Sequence, residues 1–305
     1  MLQPSYLHLL KKISYMAQKQ KINQNVITFP EIIDINDYKI INEIGCGSYS
    51  TVYLVKEIST NRKFSLKKSI ASDLEEVAKI KKEILLVSSL KHPNIAPILK
   101  YLVKQLDPTT YVVYLLMPLL ACDWSQEIPN RSYTQSELIN ILSQLVSALS
   151  FLQRNNVAHR DIKPQNIFIY DNFTYALADF DEITKVDHKK ELKVTGTELF
   201  MSPLLHSAMR EGATYIKHNA YKSDVFSLGM SVVYAITGNY DLLSYIQKSS
   251  DFMNEKTLKK YFDKYGYDYS TELLNVLFKM IKKDEKDRYD FIELLEVLEK
   301  LKLVL

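Results

Sequence analysis

His-Arg-Asp-Ile-Lys-Pro-Gln-Asn, residues 159 to 166, is followed thirteen residues later by Asp179-Phe180-Asp181. Between them, Ile167-Phe168-Ile169 and Tyr175 to Ala178 read as a short hairpin that folds the chain back, so Asp161, Lys163, Asn166 and Asp179 are predicted to meet. Two acids, one cation and one amide suit phosphate held by a divalent metal. Hard cations such as Mg²⁺ take oxygen ligands, which Asn166 and Asp179 offer. Asp161 then stands to accept a hydroxyl proton, and Lys163 to offset charge on a transferred phosphoryl group.

The rest of the composition narrows the setting. A chain of 305 residues with 47% apolar and 25% charged residues is globular and long enough for one large domain or two small ones. Its net charge of +3 is too small to draw it to nucleic acid, so no nucleic-acid partner is expected. Cys46 and Cys122 are too few for a disulfide framework and fit a reducing compartment. No apolar run reaches eighteen residues and the N-terminus carries no secretory pattern, so no transmembrane segment is expected and the localisation expected is intracellular, cytoplasmic or nuclear.

Residues 1–37 read as an N-terminal extension with a candidate basic amphipathic helix over 5 to 22. From Tyr38 the pattern is strand-like: Tyr38 to Ile44, a turn with Gly45 and Gly47, then Thr51 to Glu57. The two glycines let backbone amides approach phosphate closely. Phe64-Ser65-Leu66-Lys67 reads as a third strand, whose alternation sends Lys67 and Lys68 to opposite faces. A helix follows, opened by a capping box of Ser72 with Glu75 and carrying Leu74, Val77, Ile80, Ile84 and Val87. Tyr111 to Met117 is an apolar strand, and a second capping box, Thr134 with Glu137, opens a buried helix that delivers the chain to His159. Residues 271 to 282 and 290 to 301 read as closing helices, while the stretch between Pro203 and Asp224 receives no role.

His-Arg-Asp-x-x-x-x-Asn resembles the catalytic loop of eukaryotic protein kinases, and Asp179-Phe180-Asp181 stands where that family usually has Asp-Phe-Gly. Gly45 and Gly47 are similarly placed to the family's glycine-rich loop, with Val52 at the position covering the adenine and Ser50 in place of the third glycine. Lys67 resembles the phosphate-binding lysine of Val-Ala-Ile-Lys. Glu83, nine residues before His92-Pro93-Asn94-Ile95, is similar to the helix glutamate that pairs with it. The resemblance implies Leu116 as gatekeeper of the nucleotide cleft, backbone of Met117 to Leu119 against the adenine edge, and Asp123 for a ribose hydroxyl. Thr195 to Pro203 is similar to the end of an activation segment, with Thr197 near the catalytic aspartate. Leu204 replaces the glutamate whose family partner is an arginine, here Arg288, and Ser223 to Gly229 resembles the start of the central helix.

The same resemblance implies an α+β, two-lobed protein kinase-like fold over 38–301: a β-rich N-lobe 38–116, a hinge 117–119 and a mainly α-helical C-lobe 120–301. The implied activity is transfer of the γ-phosphoryl group of ATP, with Mg²⁺, to Ser or Thr of a protein substrate. The implied catalytic residues are Asp161, Lys163, Lys67 and Glu83. Gly45, Gly47, Val52, Lys67, Met117, Leu119 and Asp123 are the implied nucleotide-binding set, and Asn166 and Asp179 the metal ligands. Asp181, Leu204 and Ser50 favour the alternative, a catalytically impaired scaffold that works by binding. Arg160 is the family's receiver of a phosphorylated activation loop, yet from Asp187 to Thr197 the only hydroxyls are Thr195 and Thr197, so activity without phosphorylation is expected. The sequence names no regulatory partner.

Overall fold

The computed structural model describes residues 31–46, 50–119, 122–170, 173–248 and 255–304. Gly47 and the candidate helix at 5 to 22 lie outside the described residues.

Six strands form the N-terminal sheet: β1 (Glu31–Ile32), β2 (Tyr38–Cys46), β3 (Ser50–Glu57), β4 (Lys63–Ala71), β5 (Lys100–Gln105) and β6 (Tyr111–Pro118), in the order β1-β5-β6-β4-β3-β2. β1 falls in the stretch that the sequence reading leaves as extension. It joins because Ile33 beside it is buried with Tyr38, Phe64 and Leu66, and the Ile33 N–H donates to the Tyr101 carbonyl at 2.9 Å. Helix α1 (Leu74–Ser89) covers the other face, with Val77 and Ile84 packed against Ala71, Val103 and Val113. Its cap differs from expectation by one residue. The Asp73 carboxylate, not the Ser72 hydroxyl, accepts the Glu76 N–H at 2.8 Å, and Glu76 reaches back to the Ser72 N–H at 2.8 Å. Aspartate caps as well as serine does, and Glu76 rather than Glu75 is three residues beyond it.

The C-terminal region is helical around small sheets. After β7 (Cys122–Asp123) and the short α2 (Trp124–Glu127), the helix α3 (Gln135–Arg154) opens with the expected capping box. It buries Leu138, Ile141, Leu142, Leu145, Leu149 and Leu152. The chain then runs through β8 (Val157–Ala158), β9 (Ile167–Ile169), β10 (Tyr175–Leu177), β11 (Thr184–Lys185), β12 (Leu192–Lys193), α4 (Pro203–Arg210) and β13 (Tyr215–Ile216) to α5 (Ala220–Thr237). Helix α5 is the post around which this region packs. The Asn219 side chain caps it and Gly238, at φ +60°, ends it by donating to the Tyr234 carbonyl at 2.7 Å. Gly229 lets a neighbour touch its backbone, since a Cβ there would stand 2.6 Å from the Ile281 side chain. Four helices close the chain: α6 (Tyr240–Lys248), α7 (Glu255–Lys264), α8 (Thr271–Met280) and α9 (Phe291–Val304). The sequence reading assigned neither α6 nor α7. The result is a mixed α+β fold, sheet-rich at its N-terminal side and helical beyond it.

Candidate active site

The predicted hairpin forms, with Tyr175, Ala176 and Leu177 opposite Ile169, Phe168 and Ile167. The Ala178 N–H then donates to the Asn166 carbonyl at 2.9 Å, which brings Asp179 beside Asn166. Backbone on either side is held in uncommon conformations, with φ +73° at Arg160 and +58° at Asp179. Asp224 of α5 holds the first of these. Its buried carboxylate accepts the N–H groups of His159 and Arg160 at 2.9 and 3.0 Å, while burial pushes its pKa up to about 7. The sequence reading places Asp224 at the start of the helix without giving it this task; an acid immediately before the mainly apolar stretch Val225 to Met230 was the available signal, since a buried carboxylate requires donors. His159 is buried, its ring 5.0 Å from that of Phe180 and its Nε2 donating to the Ala178 carbonyl at 3.2 Å. Burial lowers its pKa and favours the neutral ring.

Asp161 sits at the centre of a closed set of hydrogen bonds. Its Oδ1 accepts the Thr197 hydroxyl at 2.8 Å, and its Oδ2 takes Lys163 Nζ at 2.8 Å and Asn166 Nδ2 at 3.0 Å. Lys163 Nζ also donates to the Thr197 hydroxyl at 2.8 Å. The Asn166 amide donates to the Asp161 carbonyl too, at 2.8 Å, so its nitrogen is committed and its Oδ1 is the atom left to coordinate. Asn166 with Asp179 is an all-oxygen donor pair. Among the described residues no cluster of three or more His, Cys, Asp or Glu side chains forms a metal cage. Such a pair fits a hard divalent ion that takes its remaining ligands from phosphate and water.

Lys67 lies in one register row with Gly45, Val52 and Leu115, so these residues share a sheet face. Its ammonium is not paired with Glu83. It donates to Asp179 at 2.7 Å and to both oxygens of Asp181 at 2.9 and 2.8 Å, whereas Glu83 meets Lys79 of its own helix at 3.7 Å. The expected Lys67–Glu83 pair is therefore corrected: Asp181, which has a carboxylate where the family has none, occupies the ammonium. Burial alone would lower the Lys67 pKa, but the carboxylates, Asp179 foremost, raise it. Burial would raise Asp179 as well, but Lys67 holds it below the ordinary carboxylate range. Asp181 is raised, first by partial desolvation beside Lys67 and then by Asp179, although its side chain keeps 66% exposure on the solvent side. Glu83 is pushed up to about 7, first by burial and then by the charges of Asp181 and Glu182, against the pull of Lys79.

The strand leading out of the sheet is also corrected. Leu116, expected as gatekeeper, is the register partner of Leu66 and packs with Ile33, Tyr38, Val55 and Phe64 on the face turned away from Lys67. Leu115 is the residue opposite Lys67, and alternation along β6 puts Met117 on its side. β6 itself runs through Pro118, so part of the expected hinge is still paired strand. Leu119 follows and is exposed. Asp123 caps α2 through Oδ1, which accepts the Gln126 N–H at 3.2 Å. Gly45 lies in the β2 ladder, and a Cβ there would meet Val52 at an ordinary 3.8 Å, so the strand itself does not require glycine.

Two features give the activation-segment region its shape. The stretch before Asp224 supplies β13, which pairs with β12 (Leu192 with Ile216, Lys193 with Tyr215), and the Arg160 guanidinium donates to the Lys193 carbonyl. Further on, Gln247 of α6 donates to the Met201 carbonyl at 2.6 Å. Arg288, deprived of a glutamate by Leu204, is buried and donates to the carbonyls of Lys282, Lys222 and Lys283 at 2.6, 3.0 and 2.8 Å, with the Phe226 ring 5.0 Å away. Burial lowers its pKa to about 10, and it remains a cation at neutral pH.

A sheet-rich region precedes a helical one, and an acid, a lysine, an amide and a second acid are gathered between them. The family model for the protein kinase domain matches residues 38–298, and the chain belongs to that family. Among its relatives, the mouse serine/threonine-protein kinase Nek2 is 27% identical over 266 residues, covering 81% of this chain and 56% of that protein. Rice mitogen-activated protein kinase 10 is 27% identical over 72% of this chain and 36% of its own length. Serine/threonine-protein kinase PrkC of Bacillus subtilis is 29% identical over 66% of this chain and 30% of its own length. The chain thus spans about half or less of the length of these curated relatives. No helix among the described residues is long and apolar enough to cross a membrane.

Proposed function

We propose that the chain transfers the γ-phosphoryl group of ATP to serine or threonine hydroxyls of protein substrates, with Mg²⁺ as the divalent ion. The observation that supports this best is the threonine hydroxyl already donating to Asp161 Oδ1, with Lys163 on the same hydroxyl. A substrate hydroxyl brought to Asp161 meets a carboxylate able to orient it and take its proton, and an ammonium able to offset phosphoryl charge. In this reading Asn166 Oδ1 and Asp179 would hold the ion, which when bound neutralises charge on the phosphate oxygens. Lys67 meets the phosphates, Gly45, Gly47 and Val52 cover the nucleotide, and Asp123 with the backbone of Met117 and Leu119 receives ribose and base. The catalytic domain is then 38–301, its lobes meeting at 117–119, and the names of the relatives support the acceptor class.

The test is label transfer from radioactive ATP to a generic protein substrate. Asp161→Asn is expected to lower it about a hundredfold or more, the scale of lost acid–base and orienting function. Transfer within about threefold of wild type in that variant would sink the proposal. The capture of Lys67 by two acids favours a second reading, the binding scaffold. A rise in melting temperature with Mg²⁺-ATP, together with wild-type transfer no greater than that of Asp161→Asn, would assign the chain to it.

A further inference from the structure

Lys67 is buried, and its ammonium touches one oxygen of Asp179 but both oxygens of Asp181. The segment is anchored so that Asp181 stays there. Phe180 is buried against His159, and the Ile183 N–H donates to the Phe180 carbonyl at 3.1 Å. Among the described residues the non-glycine positions with positive φ are Asn61, Asn156, Arg160 and Asp179, so Asp181 has an ordinary backbone that glycine would not relieve.

Charge counting decides which acid can serve Lys67 during the proposed reaction. Two carboxylates already exceed one ammonium, so bringing Glu83 in would add like charge beside Asp181. Asp179 is the carboxylate that a divalent ion would draw on, and an acid shared with a dication is a diminished partner for a lysine. A buried ammonium stripped of its partner is costly. The geometry points to Asp181 as the standing counterion of Lys67, a positioning residue that keeps the ammonium aimed at the phosphate site in the role expected of Glu83. Its use in catalysis rests on the phosphotransfer reading; the ion pair does not.

Unfolding of the nucleotide-free chain tests the pair directly, using Lys67→Met, Asp181→Asn, Glu83→Gln and the two double variants that join Lys67→Met to each acid. Melting shifts are expected to be non-additive for Lys67 with Asp181 and additive for Lys67 with Glu83. Binding of a fluorescent ATP analogue and the KM and kcat of label transfer then test the role. Asp181→Asn is expected to raise Kd and KM about tenfold with a smaller change in kcat, Asp181→Glu to recover most of that, and Glu83→Gln to lose about fivefold less affinity than Asp181→Asn. Additive shifts for Lys67 with Asp181, or an affinity loss in Glu83→Gln matching that of Asp181→Asn, would overturn the assignment. Should wild type transfer no label while the melting pattern holds, the phosphotransfer reading fails and the ion pair stands.

Discussion

Two buried cations, Lys67 and Arg288, stand where the family pairs a cation with a glutamate, and neither meets one. At Lys67 the glutamate is present in the sequence but stands aside with Lys79, and two aspartates take the ammonium. At Arg288 the glutamate is absent, Leu204 being in its place, and three backbone carbonyls fill the guanidinium's fork. Under the proposed reaction the difference follows from the task of each cation. A cation that exchanges partners during a reaction is served by side chains, which can be drawn off by metal or phosphate. One that only ties loops together is best served by carbonyls, which stay where the backbone is and need no second buried charge.

The largest way to break this contrast is Arg288→Met. It removes the guanidinium's bonds to the carbonyls of Lys222, Lys282 and Lys283, and urea unfolding is expected to show a loss of about 3–5 kcal/mol. A loss below about 1 kcal/mol would mean that water replaces the guanidinium and that the tie is not structural.

A smaller effect is expected from Glu83→Gln, read against pH. The Glu83 carboxyl, 18% exposed, is raised to about 7 from an ordinary 4.5, so between these values the folded chain keeps a proton that the unfolded chain releases. Stability therefore falls as pH rises through that window, and the penalty is complete above it. Lys79, Asp181 and Glu182 are the charges facing the group. The glutamine variant is expected to lose this slope and to be more stable than wild type by about 2–3 kcal/mol at pH 8, with little difference at pH 4.5. Parallel stability curves for the two proteins would show that Glu83 is solvated or paired more strongly than its 3.7 Å contact with Lys79 implies.

The smallest effect sharpens the comparison from the other side. Leu204→Glu restores the family's acid, but position 204 is 43% exposed and Arg288 already has its acceptors, so unfolding is expected to change by no more than about 0.5 kcal/mol. Stabilisation above about 1 kcal/mol that disappears in the Arg288→Met background would show that the arginine does exchange its carbonyls for a carboxylate.

Local rules carried much of the fold. The hairpin after Asn166 was legible because two apolar runs flank a short polar turn, and α3 because Thr134 and Glu137 stand at the spacing of a reciprocal cap. α1 was legible but its cap was placed one residue early, since Ser72 and Asp73 offer the same chemistry to Glu75 and Glu76. The Leu115 and Leu116 faces were not legible, because a continuous apolar run from Tyr111 to Met117 has no polar alternation to say which side faces the cleft.

The sequence by itself determined the family, the order of the chemical groups along the chain, and the gathering of Asp161, Lys163 and Asn166, which lie within one loop and are tied by its own backbone. Only the tertiary structure decided that Lys67 meets Asp181, 114 residues away, rather than Glu83, that β13 pairs with β12, and that Arg288 takes carbonyls of two separate segments. The reason is physical. Caps, turns and alternation are set by neighbours a few residues apart, whereas the partner of a buried charge is whichever group the packing of distant elements brings within hydrogen-bond reach.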